Sequence, residues 1–316
     1  MQLMNKRVYY LDNLSGLLIC YMMLNHVLLM GQVDCSVDNI LLEPLQFFMF
    51  WFFFKSGMFY TPKNYKQLFI RGGQKLLVPL AIYSFLGHIV QCLKLFASDD
   101  YNWKHYLLTP IKEFVCTGSV TGNHPLWFLF SLFFVQLLFN ELYVRKIKPQ
   151  FIFIISIIIP IVLYYNSISN LPIYLTNVPL GLSVYTLGYI LKNRQFDKKL
   201  ISIAGIIYLG VILFYPSHLI FRSNTLNSGG NYLLAIIFSL AGCVVFNNIF
   251  KFLPNCRVLQ FIGQHSMTYY VTHWVILNVC TLIMVTGFHR QGVTVFVMMI
   301  LVCLLIPTLI IKIRNK

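Results

Sequence analysis

An all-α, polytopic transmembrane helical bundle of about ten membrane-spanning helices is the fold class this sequence predicts, and three observations predict it. First, 58% of the 316 residues are hydrophobic and only 10% are charged, whereas a soluble domain carries roughly 25% charged residues to solvate its surface. Second, apolar stretches recur along the chain at about the 20-residue length that carries a helix across a bilayer. Third, runs such as Phe47–Phe54 and Phe151–Tyr165 show no alternation of apolar and polar residues, which rules against the strands of a membrane barrel.

The elements follow in order. Lys6 and Arg7 precede an apolar run from Val8 to about Met30. That run is too long for a signal-peptide core and lacks a small-residue cleavage site, so it reads as an uncleaved first span over 9–31. The second span, 40–60, holds the Phe47–Phe54 run, expected to face lipid or to pack the bundle. The third, 76–96, carries His88 and opens at Pro79. A long connection over 97–124 follows, with Trp103 and Tyr106 suited to an interfacial belt. The fourth span, 125–143, ends in Glu141 and Arg145, an i,i+4 pair. Pro160, Pro172 and Pro179 bend or bound the fifth and sixth, 151–167 and 173–191. The seventh and eighth, 200–216 and 231–250, flank a second long connection at 217–230. The ninth, 259–283, carries His273, and the tenth is 292–312. A single domain over 1–316 is expected, with no appended soluble domain and no internal repeat.

Basic residues set the orientation, because cytoplasmic loops of membrane proteins are rich in Lys and Arg. With both termini cytoplasmic, that side receives Lys6, Arg7, Lys63, Lys66, Arg71, Lys75, Arg145, Lys146, Lys148, Lys192, Arg194, Lys198, Lys199, Lys251, Arg257, Lys312, Arg314 and Lys316. The opposite side receives Lys94, Lys104, Lys112, Arg222 and Arg290, with the acids Asp34, Asp38, Asp99, Asp100 and Glu113. This clustering between apolar segments accounts for the net charge of +15 and leaves no case for a nucleic-acid partner. The eight cysteines (Cys20, Cys35, Cys92, Cys116, Cys243, Cys256, Cys280 and Cys303) form no CxxC and no metal-ligand spacing. They read as small buried hydrophobes, and no metal is expected.

Ionisable residues inside a membrane are costly, which makes each one a functional candidate. Asp12, Asn25, His26, Lys55, His88 and His273 qualify. Each has a plainer reading. A membrane His often bonds between packed helices. Lys55 can snorkel to headgroups, and Asp12 suits the positive end of the first helix. Asp12 and His26 share a helical face but lie about 21 Å apart along it. They cannot touch, yet they can mark two ends of one channel.

Five segments carry a family resemblance. The first is Leu11-Asp12-Asn13-Leu14-Ser15-Gly16-Leu17-Leu18-Ile19, closing on Leu24-Asn25-His26. The second is Phe52-Phe53-Phe54-Lys55-Ser56-Gly57-Met58-Phe59, and the third runs from Arg71 to Lys75 into Leu76-Leu77-Val78-Pro79. The fourth is Leu126-Trp127-Phe128-Leu129. The fifth is Leu259-Gln260-Phe261-Ile262-Gly263-Gln264-His265-Ser266, followed by Tyr270 and His273. Together, in this order, they resemble the membrane acyltransferase 3 family over nearly the whole chain.

The resemblance implies a multi-pass protein of a bacterial plasma membrane, with the lipid bilayer, acyl-CoA and a carbohydrate acceptor as partners. It implies transfer of an acyl group, commonly acetyl, from cytoplasmic acetyl-CoA to a hydroxyl of a cell-surface glycan or its precursor. Acetyl-CoA is then a co-substrate, and no cofactor is held permanently. His26 becomes the general base or acyl relay, since imidazole can take a hydroxyl proton near neutral pH. Asn25 and Tyr270 are candidates to steady the oxyanion. Asp12, Ser15, Lys55, Ser56, Arg71 and Lys75 are the donor-binding set, and His124, Trp127, Tyr270 and His273 form a second set for the acceptor or for structure. One departure stands out: the family's basic residue eleven positions before the helix 1 His is Ser15 here. Either Lys55 supplies the missing cation from the second span or donor binding is altered. Two further readings stay open. One is a non-catalytic transporter of a glycan or lipid-linked intermediate. The other is an acyl relay that serves a separate extracytoplasmic transferase.

Overall fold

The computed structural model describes residues 8–29, 43–166, 172, 174–192, 197–214, 232–287 and 292–314. Lys6, Arg7, Asp34, Cys35, Asp38, Arg194, Arg222, Arg290 and Lys316 lie outside them, as does the connection 217–230. The described residues form helices and no strand. They are α1 (Tyr9–Leu29), α2 (Phe48–Met58), α3 (Tyr65–Gly72), α4 (Val78–Ala97), α5 (Trp103–Thr117), α6 (Trp127–Val144) and α7 (Pro149–Tyr165). After these come α8 (Tyr174–Leu191), α9 (Lys198–Phe214), α10 (Tyr232–Phe252), α11 (Arg257–Gln264), α12 (Ser266–Thr281) and α13 (Val293–Arg314).

Six stretches among the described residues are long and apolar enough to cross a bilayer: Tyr9–Leu28, Tyr65–Ala97, Trp103–Val144, Tyr232–Phe252, Ser266–Met284 and Val293–Arg314. A shorter apolar helix spans Pro149–Tyr165. The bundle buries an apolar core that includes a set of polar side chains, and its exterior is apolar as well. Asp12, Asn13, Ser15, Asn140, Asn177 and His273 are buried, while Phe85, Ile158, Leu213 and Leu309 face outward and exposed. Only lipid solvates such an exterior. The Phe-rich run resolves toward packing: Phe47, Phe50, Trp51, Phe53 and Phe54 are fully buried.

Three expectations need correction. The basic segment Arg71 to Lys75 is not a loop. α3 passes through a π-helical turn at Gly73–Leu77 directly into α4. The 97–124 stretch is not a plain connection. It forms α5, which ends at Gly118 with φ 75°, and then a 3-10 turn, Thr121–Leu126. That turn docks between α4 and α12, where Asn123 Nδ2 donates to the carbonyls of Tyr83 (3.3 Å) and Val271 (3.2 Å). The ninth apolar segment is not one helix. It breaks at His265 into α11 and α12.

α11 breaks off because it serves α1. Gly16 and Gly263 bring the two backbones into contact, and a Cβ on either would overlap the carbonyl of Leu259 or of Asp12. This crossing fixes the stretch Asp12–Gly16. α2 is set beside it by a similar approach. Gly57 lies on the carbonyl of Tyr185 in α8, and Gly188 lies on that of Phe54. Small residues permit such close helix approaches in membranes. The result brings Lys55 of α2 against α1.

Candidate active site

The first cluster stands at the end of the bundle where basic residues gather. Lys55 Nζ donates to Ser15 Oγ at 2.5 Å and lies 3.9 Å from Asp12 Oδ1. Ser15 in turn donates to the Leu11 carbonyl at 2.7 Å. Lys55 also sits 5.4 Å from the centre of the Trp51 ring, on the ring face that attracts a cation. The position that departs from the family pattern is therefore met by a cation from the neighbouring helix, with an acid beside it. Lys55 and Ser56 line a cavity of about 370 Å³ together with Lys63, Gln136, Ser266 and Tyr270. Ile19 and Phe128 also line it.

The second cluster lies farther along α1. His26 is eleven residues beyond Ser15, about 16 Å along the axis. Its Nδ1 lies 2.8 Å from Nε2 of His273, with the two rings stacked at 5.0 Å and 8°. His273 Nδ1 lies 2.6 Å from the Tyr270 carbonyl. That carbonyl can only accept, so His273 carries its proton on Nδ1. With both rings neutral, His273 Nε2 is then a bare acceptor and His26 must donate to it from Nδ1. The lone pair of His26 is left on Nε2. A base held by one nitrogen with the other free is the arrangement that proton abstraction needs. The edge of Trp274 meets the His26 ring at 5.0 Å and 85°, and His124 approaches Trp274 at 6.3 Å. The Trp274 indole N–H is buried and has no hydrogen-bond partner among the described residues.

The other expected residues divide. Ser56 bonds the Phe52 carbonyl (2.8 Å) at the cavity wall. The Asn25 side chain makes no hydrogen bond among the described residues and is not joined to the His pair. Tyr270 lines the cavity, but its hydroxyl donates to the Pro125 carbonyl, which engages the proton an oxyanion would need. Trp127 is buried against Phe128, at 6.2 Å between ring centres. Arg71 and Lys75 are exposed and do not line the cavity. His88 contacts Cys92 and lines a separate cavity of about 260 Å³ with His105 and Glu113.

Sequence reasoning missed Lys63, Gln136 and Trp274. Trp274 adjoins His273, so an aromatic next to a membrane histidine was the available signal. Nothing in the sequence set Lys63 apart from its basic neighbours. No group of three or more His, Cys, Asp or Glu able to hold a metal occurs among the described residues.

The family model described as an acyltransferase domain matches residues 8–312. No curated protein matches the chain, and no solved structure does.

Proposed function

The chain belongs to that acyltransferase family, and from this premise we propose that it moves an acetyl group from cytoplasmic acetyl-CoA to a hydroxyl of a cell-surface glycan or its precursor, in a bacterial plasma membrane. The observation that carries this reading is the His26–His273 contact, which with both rings neutral leaves the lone pair of His26 on Nε2. In the reaction the acceptor hydroxyl oxygen attacks the thioester carbonyl carbon. His26 Nε2 takes the hydroxyl proton as the C–O bond forms. The C–S bond then breaks, and the imidazolium returns the proton to the departing thiolate, giving ester and free thiol. Throughout, His26 keeps its Nδ1–H on His273, which fixes the ring and spreads the positive charge. Trp274, whose ring packs against His26, offers a buried N–H with no partner among the described residues, and a donor held ready in this way is what stabilises a developing oxyanion.

Donor entry from the basic end is supported by the cavity. Lys55 and Lys63 offer cations to the phosphates of CoA. Ile19, Phe128 and Tyr270 also line the cavity, and Tyr270 lies three residues, about 4.5 Å of helix rise, before His273. The thioester must pass these side chains to reach His26.

Ten passes with both termini cytoplasmic are supported by the run of contacts. Lys55 meets Ser15, so α2 returns to the basic end. Asn140 bonds Lys63, Tyr189 bonds Tyr143, and Lys251 faces Tyr10, so α6, α8 and α10 also end there. Thr308 bonds Tyr269, so α13 does too.

The test is turnover of purified protein in nanodiscs with acetyl-CoA and a panel of glycans, following thiol release and ester formation. We expect thiol release that depends on an acceptor. Neither turnover nor acetyl-CoA binding with any acceptor would overturn the proposal in favour of transport.

A further inference from the structure

The face of α11 turned away from α1 borders a cavity separate from the one that Lys55 and Lys63 line. Its volume is about 390 Å³, and Val258, Phe261, Leu304 and Leu305 wall it. Arg257 and Lys312 supply its charge. Val258 and Leu305 are 68% and 57% exposed, so the groove opens sideways to the acyl layer. The two cations come from different elements, the first residue of α11 and the last turn of α13. Neither has a carboxylate or hydrogen-bond partner among the described residues. Tyr269 and Thr308, joined at 2.6 Å, also line it.

We propose that this groove seats one anionic phospholipid. A fatty chain lies along Val258, Phe261 and Leu305, and the phosphate sits between Arg257 and Lys312. Basic pockets between helices at a membrane face recognise acidic headgroups in this way. The guanidinium supplies a bidentate fork, and the ammonium supplies a point charge. The apolar walls and the lateral opening select a lipid over a soluble phosphate, which would find no route through hydrocarbon and nothing to cover the walls. The opposite face of α11 is pressed onto Asp12–Gly16 through Gly16 and Gly263. A seated lipid therefore braces the helix that shapes the Ser15–Lys55 cluster. The inference does not depend on the acyl-transfer reading.

The experiment uses the full chain in detergent, with native mass spectrometry and thermal unfolding after addition of phosphatidylglycerol or phosphatidylcholine. Wild type should retain one phosphatidylglycerol in preference to phosphatidylcholine and unfold at higher temperature with it. R257Q/K312Q should lose affinity for phosphatidylglycerol by about tenfold or more, at about 1 kcal/mol per basic residue near a lipid surface. K198Q/K199Q, which removes two exposed cations elsewhere, should keep it. L305W, which fills the groove without touching its charge, should also lose the lipid and so guards against misfolding of the double variant. The proposal is overturned if R257Q/K312Q and L305W fold and retain the preference, if K198Q/K199Q loses it equally, or if inorganic phosphate alone gives the same stabilisation.

Discussion

At the residue scale, the account rests on which nitrogen carries which proton. Changing His26 to Ala removes the base, and general bases contribute typically 10²–10⁴-fold, so acetyl transfer should fall by at least about 100-fold with the protein still folded. Trp274→Phe keeps the ring edge against His26 and deletes one buried N–H. We expect kcat to fall by about tenfold or more with KM for acetyl-CoA unchanged, because an oxyanion donor acts only in the transition state. Lys55→Gln should act the other way, raising KM for acetyl-CoA several-fold, and an unchanged KM would remove Lys55 from donor binding. His26 and Lys55 stand out in the sequence as candidates because ionisable side chains are rare in membrane helices. The bond from His26 to His273 does not, since 247 residues separate them and only the fold pairs them. Arg71 and Lys75 show why sequence alone separates two roles poorly: donor binding and membrane orientation recruit the same residue types. The structure leaves both exposed and off the cavity.

At the element scale, the glycine crossing between α1 and α11 is the joint on which the donor end depends. Gly263→Ala forces a methyl group into the Asp12 backbone. Overpacking of this kind costs about 1–3 kcal/mol, so the thermal midpoint should drop measurably, and an unshifted midpoint would show that the joint is looser than drawn. The start of α5 gives a pH dependence. Asp100 accepts from His105 at 2.6 Å, and that bond, with the Asn102 backbone N–H, holds its carboxyl below the ordinary value. A carboxyl lowered in the folded state stabilises it above the unfolded pKa and loses that effect as pH falls through the folded value. Protection of the first turn of α5 against hydrogen exchange, relative to the intrinsic rate at the same pH, should therefore fall as the solution is acidified below the ordinary carboxylate range, and D100N should abolish that acid step. Element boundaries were the least legible feature. The apolar run 259–283 hid its break at His265, because hydropathy records what is apolar and not which backbone must lie against α1. The 97–124 stretch hid α5 and its 3-10 turn, because too few of its residues are apolar for a span while its backbone groups still need partners.

At the scale of the whole molecule, the membrane setting was legible from composition, because a chain with 10% charged residues has no means of covering itself in water, and the helices from apolar runs without alternation. The structure gives that a physical form, with large apolar side chains both packed in the core and exposed on the outside of the bundle. Sidedness yields a further test. Cys256 is exposed at the basic end, next to Arg257. A membrane-impermeant maleimide should label it in inside-out vesicles and spare it in intact spheroplasts, and the reverse pattern would invert the topology. The central claim is that His26 acts as a base positioned by His273, and the pH–rate profile of acetyl transfer by wild type, H26A, H273A and H273N in nanodiscs tests it most directly. The account predicts that H26A is inactive. It predicts that H273A loses kcat, keeps its KM for acetyl-CoA and shifts the limb of the profile that reports the base, and that H273N, if its amide oxygen can accept the His26 proton, recovers part of the rate. An H26A enzyme that turns over like wild type, or an H273A profile that superimposes on it, would contradict the account.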